Sequence, residues 1–177
     1  MLAANRRELD TVPGYPAAPV NSNALDVNSL ADAKNFLFLI NPGGFASAQA
    51  FVDAVDATNY DLVLIDAFFE DTPLTAAQIT ALKTKPNGAR RLVIAYMSIG
   101  EVENYRFYWQ PGWKPGNPDW IASENANFPG NFKVQYWRQE WQDLLLNGPG
   151  AYLNRITNAG FDGVYLDLID AFEFFES

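Results

Sequence analysis

The sequence contains no cysteine and no histidine. Without cysteine, the chain has no disulfide, no thiolate nucleophile and no thiolate metal ligand. Without histidine, it lacks the serine–histidine–aspartate triad, histidine-ligated zinc and the commonest general base. If the protein is an enzyme, its protons must be carried by aspartate, glutamate, tyrosine or lysine, and paired carboxylates are the most direct chemistry that remains.

Long apolar runs and positive charge are also scarce. No apolar stretch reaches the ~18–20 residues that cross a bilayer, and the N-terminal sequence MLAANRRELDTVPGYPAAP lacks the apolar centre of a signal peptide. The sequence therefore predicts no membrane partner, and a cytoplasmic location unless a leader precedes it, in which case we expect a secreted or periplasmic protein. The net charge of −9 argues against nucleic acid, whose binding depends on lysine and arginine, and suits a neutral or cationic ligand.

Alternation of apolar strands with helices predicts a parallel α/β fold. Residues 1–34, with three prolines, have the composition of an irregular N-terminal arm, and residues 35–177 form the predicted domain. Helices are expected after Ser47 and Thr75, and strands at 35–41, 60–66, 91–100, 133–137 and 163–168. By itself, that strand count favours an open five-stranded parallel sheet, because a complete (β/α)8 barrel usually needs at least ~200 residues.

Three of the predicted strands end on a carboxylate. Asp66 follows DLVLI, Glu101 follows RLVIAYMSIG, and Asp167 follows GVYL. One such acid could simply cap a helix or pair with an arginine. Three acids at corresponding ends favour a ligand cleft, because ligands of parallel α/β folds bind beyond the carboxyl ends of the strands. We expect these three side chains to share one cleft that binds a sugar or a cation.

A long segment, residues 104–132, shows no clear periodicity and is rich in aromatic residues. Tyr105, Trp109, Trp113 and Trp120 lie within it. These rings either pack as a small core under the loop or form a wall on which sugar rings stack. Because irregular loops of this length are uncommon and often functional, we favour the sugar-stacking interpretation.

Three blocks of sequence resemble glycoside hydrolase family 114, the endo-α-1,4-polygalactosaminidases and related glycosidases. They are AYMSIGEVENYRFYW, ENANFPGNFKVQYW and GFDGVYLDLIDAFEFFE, and the likeness runs from about Asn35 to the C-terminus. The resemblance implies a (β/α)8 TIM-type barrel, α-1,4-linked galactosamine polymers as substrate and no cofactor. It also implies further strands, one of which carries a second acid, so that this chain corresponds to about five of the eight βα units.

The leading hypothesis is glycoside hydrolysis by two carboxyl groups. The resemblance implies that Asp167 is catalytic, and Glu101 is the best second candidate within the chain. Glu103, Tyr105 and Arg106 match the GE-x-E-x-YR block of the family. The predicted substrate site comprises Asp66, Glu103, Tyr105, Arg106, Trp109, Tyr136 and Asp170.

Two other functions remain open. Acids at successive strand ends can hold Mg²⁺ in a metal-dependent barrel enzyme, although no lysine or histidine stands at a strand end as the base. Alternatively, the protein is a carbohydrate-binding or catalytically inactive relative. We also expect the apolar strand at 163–168 to be covered, by a second copy of the chain, by the arm at 1–34 or by further residues.

Overall fold

The computed structural model describes residues 18–176, together with residues 11–12 and the backbone of Leu2–Ala3. Two compact units make up the chain: Met1–Tyr96 with Ile156–Tyr165, and Met97–Arg155 with Leu166–Ser177. Much of the predicted arm at 1–34 lies outside the described residues, and its boundary with the predicted domain stays a prediction.

A parallel sheet with the strand order β1-β2-β3-β6-β10 forms the core of the first unit. Its strands consist mainly of apolar residues, as is typical of parallel sheets in α/β proteins. In the register, Phe36 lies opposite Leu62, which in turn lies opposite Leu92. The five strands are β1 (Leu2–Ala3), β2 (Phe36–Leu39), β3 (Leu62–Ile65), β6 (Leu92–Ser98) and β10 (Gly163–Asp167).

The helices that follow β2 and β3 begin where the sequence predicts. The side chain of Ser47 accepts a hydrogen bond from the Ala50 amide at 3.1 Å and caps α1 (Ala48–Asp56). Thr75 and Gln78 form a reciprocal capping box at the start of α2 (Ala76–Leu82). Within the described residues, no helix has both the length and the apolarity needed to cross a bilayer.

A buried ion pair attaches the segment before β2 to the first unit. Lys85 Nζ lies 2.9 Å from Asp61 Oδ1, and both side chains are inaccessible to solvent. Lys85 also donates to the carbonyl oxygens of Asn23 and Leu25, while Asp61 accepts from the backbone N–H of Lys34. The pair therefore holds residues 23–34 in place, because separating its members would leave a charge buried without a partner.

The predicted parallel strand at 133–137 is wrong. The chain instead forms β9 (Asn131–Val134), which pairs antiparallel with β7 (Glu101–Glu103) and β8 (Ile121–Glu124) in a separate sheet of the second unit. The physical reason is visible in the pattern, because Phe132 and Val134 are buried while Asn131 and Lys133 are partly exposed. Such alternation is typical of an antiparallel strand with one face in solvent.

The remaining elements are short. A hairpin of β4 (Phe68–Phe69) and β5 (Thr72–Pro73) follows β3. After β9 come α3 (Gln139–Gln142), a π-helical turn (Asp143–Asn147) and α4 (Tyr152–Ala159). The final helix, α5, spans Phe172–Glu176.

Strand β10 is the edge of the parallel sheet in the described part of the chain. Tyr165 and Leu166 are 42% and 45% exposed, and the Tyr165 ring meets the Phe38 ring edge-on at 5.7 Å. Within the arm, the backbone of Leu2–Ala3 pairs with β2 at the opposite edge of the sheet. The expected cover over β10 stays a prediction.

Candidate active site

The turns that follow β6 and β10 are joined directly. The Ile99 N–H donates to the carbonyl oxygen of Asp167 at 3.1 Å. A Cβ added to Gly100 would lie 2.5 Å from Ala171 Cβ and 2.7 Å from the Leu168 carbonyl oxygen. Only glycine permits this approach, and Glu101 is the next residue. The two predicted catalytic acids therefore flank turns that pack against each other, since Asp167 is the last residue of β10 and Glu101 the first of β7.

The chain turns sharply after Asp167. Leu168 has a φ of 61°, in the left-handed region that a residue with a side chain seldom adopts. The Ala171 N–H donates to the Leu168 carbonyl oxygen at 3.1 Å and closes the turn. Asp167 itself, the last residue of β10, is partly exposed.

Glu101 is buried and held by two donors. Its side chain is 1% exposed, and Oε1 accepts from Lys133 Nζ at 2.7 Å and from Asn125 Nδ2 at 2.8 Å. Lys133 stands directly opposite Glu101 in the pairing of β7 with β9. A carboxylate this deeply buried needs such partners. Sequence reasoning missed both donors, because only the antiparallel register of β7 and β9 brings Lys133 to Glu101.

Glu103 and Arg106 are paired with each other. Arg106 Nε donates to Glu103 Oε2, and the two side chains are 3% and 1% exposed, respectively. The Tyr105 hydroxyl donates to Glu103 Oε1 at 2.9 Å. The Glu103 N–H donates to Tyr108 Oη at 3.3 Å, and burial, followed by the charge of Glu103, raises the pKa of Tyr108 well above its ordinary value. These contacts fix the turn at 103–108, and substrate binding by Glu103, Tyr105 and Arg106 stays a prediction.

The tryptophans of the long segment form a chain of ring contacts. Trp109 stacks on Phe132 at 5.2 Å, and Trp113 meets Trp109 and Trp120 at 5.5 and 5.1 Å. Trp120 is 3% exposed and belongs to the core of the second unit. Trp109 and Trp113 keep part of their surface in solvent. The predicted contact between Trp109 and a sugar stays a prediction.

The other predicted site residues lie in both units. Asp66 follows β3 in the first unit, is 7% exposed, and accepts from the Phe68 N–H at 2.9 Å. Tyr136 and Asp170 belong to the second unit and are exposed. That Asp66 shares a cleft with Glu101 and Asp167 stays a prediction. Among the described residues, no group of three acidic side chains comes close enough to hold a metal ion. The Mg²⁺ alternative stays a hypothesis.

Parallel βα units with carboxylates at or just after their strand ends define an α/β protein with a parallel sheet. The chain belongs to glycoside-hydrolase family GH114, which it matches over residues 22–176. This match confirms the predicted family, and the solved structure described below confirms the predicted fold class.

Two curated relatives are similar in sequence to more than two thirds of this chain. An uncharacterized protein of Deinococcus radiodurans is 44% identical over 126 residues, which are 71% of this chain and 38% of the relative. One from Methanocaldococcus jannaschii is 37% identical over 129 residues, or 71% of this chain and 35% of the relative. The chain thus spans little more than a third of the length of these relatives.

A solved structure shows the same fold. A variant of the glycoside hydrolase domain of PelA from Pseudomonas aeruginosa superposes with a TM-score of 0.52 at 16% identity. The superposition covers 80% of this chain and 47% of that domain. At this identity the likeness concerns the fold alone.

Proposed function

We propose that the protein hydrolyses glycosidic bonds in an α-1,4-linked galactosamine-type polysaccharide, with Asp167 as one of the two reacting carboxyl groups. Membership of GH114 supports glycoside hydrolase chemistry in general. The observation that carries the assignment is the backbone bond from Ile99 to Asp167, with Gly100 packed on the turn that follows. The bond joins Asp167 to the turn that immediately precedes Glu101.

The two carboxyl groups have different surroundings, and this difference suggests different roles. Glycoside hydrolysis needs one carboxyl group to protonate the leaving oxygen and another to attack the anomeric carbon or to activate water. Glu101, which is almost fully buried against the Lys133 ammonium, is the candidate for the group that attacks the anomeric carbon or activates water. Asp167 is the accessible member and is the one that contacts the sugar.

The experiment compares the protein with Asp167→Asn on partially deacetylated α-1,4-galactosaminan. Proton transfer by a positioned carboxyl group typically contributes about 10²–10⁴-fold, so we expect reducing-end release to fall by at least about 100-fold. Asp143→Asn is the matched control, because it makes the same chemical change at an exposed position on the π-helical turn. Unchanged turnover in Asp167→Asn would remove Asp167 from the mechanism.

One observation favours a second candidate, carbohydrate binding without hydrolysis. Both described donors to Glu101 bond the same oxygen, Oε1, and the side chain is 1% exposed. Asp167 is then the accessible carboxyl group of the pair, and one carboxyl group does not complete a glycosidase mechanism. Binding of galactosaminan with no release of reducing ends would support this candidate.

A further inference from the structure

Four aromatic side chains meet near the surface of the second unit. Tyr136 and Trp137 follow β9, and Phe174 and Phe175 belong to α5. Phe175 is central, because its ring centroid lies 4.8 Å from both Trp137 and Phe174 and 6.2 Å from Tyr136. All these contacts are edge-to-face, the favourable geometry for aromatic pairs. We call these four residues the aromatic platform.

The aromatic platform is open to solvent. Trp137, Phe174 and Tyr136 are 48%, 44% and 36% exposed. Apolar surface left in water is unfavourable by about 25 cal/mol per Å², and contiguous exposed apolar patches on soluble proteins commonly mark binding sites. The glycosidase mechanism described above does not require this cluster.

Exposed carboxylates alternate in sequence with the aromatic residues of the platform. The sequence D-A-F-E-F-F-E, residues 170–176, places exposed carboxylates at Asp170, Glu173 and Glu176, between the aromatic residues. No lysine or arginine follows Arg155 in the chain. Arg138, next to Trp137, is already paired with two other carboxylates, at 3.1 and 3.0 Å. The charge at the aromatic platform is therefore complementary to a cationic ligand.

We propose that the aromatic platform and its three carboxylates form a subsite for a cationic amino sugar. The apolar face of a pyranose ring packs on exposed aromatic rings, and its ammonium group is attracted both to carboxylates and to the faces of those rings. The choice of an amino-sugar polymer rests on the proposed function, but the subsite binds sugar without cleaving it. A neutral sugar would keep the stacking contact and lose the ionic one.

Binding is measured separately from cleavage. Asp167→Asn serves as the parent protein, and calorimetry measures its affinity for an α-1,4-linked galactosamine tetramer and for the N-acetylated tetramer. We expect the parent to bind the cationic tetramer more tightly, and Trp137→Ala to weaken that binding by at least about fivefold. Phe128→Ala is the matched control, since Phe128 is 54% exposed on the same unit and lies outside the aromatic platform.

The carboxylates are tested by a pair of substitutions that removes two negative charges and keeps side-chain size. Glu173→Gln combined with Glu176→Gln keeps side-chain size, so we expect weaker binding of the cationic tetramer only. That loss should shrink at high salt, because exposed charges are screened. Equal affinities for both tetramers in all these proteins would overturn the proposal.

Two further results distinguish the subsite from a dimer interface and from the proposed hydrolysis. If Trp137→Ala leaves binding unchanged but turns a sedimenting dimer into a monomer, a second copy covers the aromatic platform and the subsite is refuted. If wild type releases no reducing ends while the platform variants still lose binding, hydrolysis fails as the function and the subsite stands.

Discussion

Replacing Gly100 with alanine tests the contact that joins the two acid-bearing turns. The added Cβ would lie 2.5 Å from Ala171 Cβ, 2.7 Å from the Leu168 carbonyl oxygen and 2.9 Å from Leu168 Cβ. Ordinary contacts begin at 3.4 Å, so the two turns must separate by about 0.9 Å to relieve the closest clash. One of the three atoms is backbone, and Leu168 is already in a left-handed conformation, so local relief is difficult.

Overpacking of this kind typically destabilises a protein by about 1–3 kcal/mol. In a chain of this size, each 1 kcal/mol lowers the melting temperature by roughly 2–4 °C. We therefore expect Gly100→Ala to lower the melting temperature by about 2–12 °C. Because Glu101 and Asp167 flank the contact, we also expect activity to fall by more than the folded fraction does.

Thermal unfolding followed by circular dichroism provides the measurement, with Gly150→Ala as the control. A Cβ at Gly150 meets nothing within 4 Å, so this variant should melt within about 2 °C of wild type, as unconstrained surface changes do. If Gly100→Ala melts at the same temperature as Gly150→Ala and keeps full activity, the close packing of the two turns plays no part in the site.

Three other substitutions test the polar framework. Lys133→Met leaves the buried Glu101 carboxylate with Asn125 as its described partner, so the free energy of unfolding in urea should fall by about 1–3 kcal/mol. Lys133→Arg keeps the positive charge and should lower it by less. Equal losses in the two variants would show that charge pairing is unimportant. Lys85→Met leaves the buried Asp61 carboxylate without its cationic partner and should lower the free energy of unfolding by about 3–5 kcal/mol in the same assay. A loss below about 1 kcal/mol would contradict this expectation. Burial raises the pKa of Tyr108 in the folded protein above the value of about 10 that it has in the unfolded chain. Its contribution to stability is therefore complete below pH about 10 and is lost as the pH rises further, because the unfolded chain ionises first. The free energy of unfolding should therefore fall more steeply above pH 10 in wild type than in Tyr108→Phe, and parallel curves would refute the assignment.

Local signals in the sequence predict much of the first unit. Ser47 and Thr75 cap their helices through residues three positions away, so the information lies within one turn of chain. The apolar runs that become β2, β3, β6 and β10 identify parallel strands, and topology then explains why Asp167 lies at a strand end.

Long-range pairing accounts for what the sequence does not predict. The strand expected at 133–137 belongs to an antiparallel sheet whose register alone brings Lys133 to Glu101. The requirement for glycine at position 100 arises from Leu168 and Ala171, which are remote in sequence. Neither relation leaves a local pattern, because each depends on how separate segments meet after folding.

The most direct test of Asp167 as the reacting carboxyl group uses mass spectrometry on an α-1,4-linked galactosamine tetramer. We expect wild type to convert the tetramer into shorter oligomers, each cleavage adding one water, while Asp167→Asn binds the tetramer and leaves it intact. Identical products at identical rates from the two proteins would contradict the assignment of Asp167.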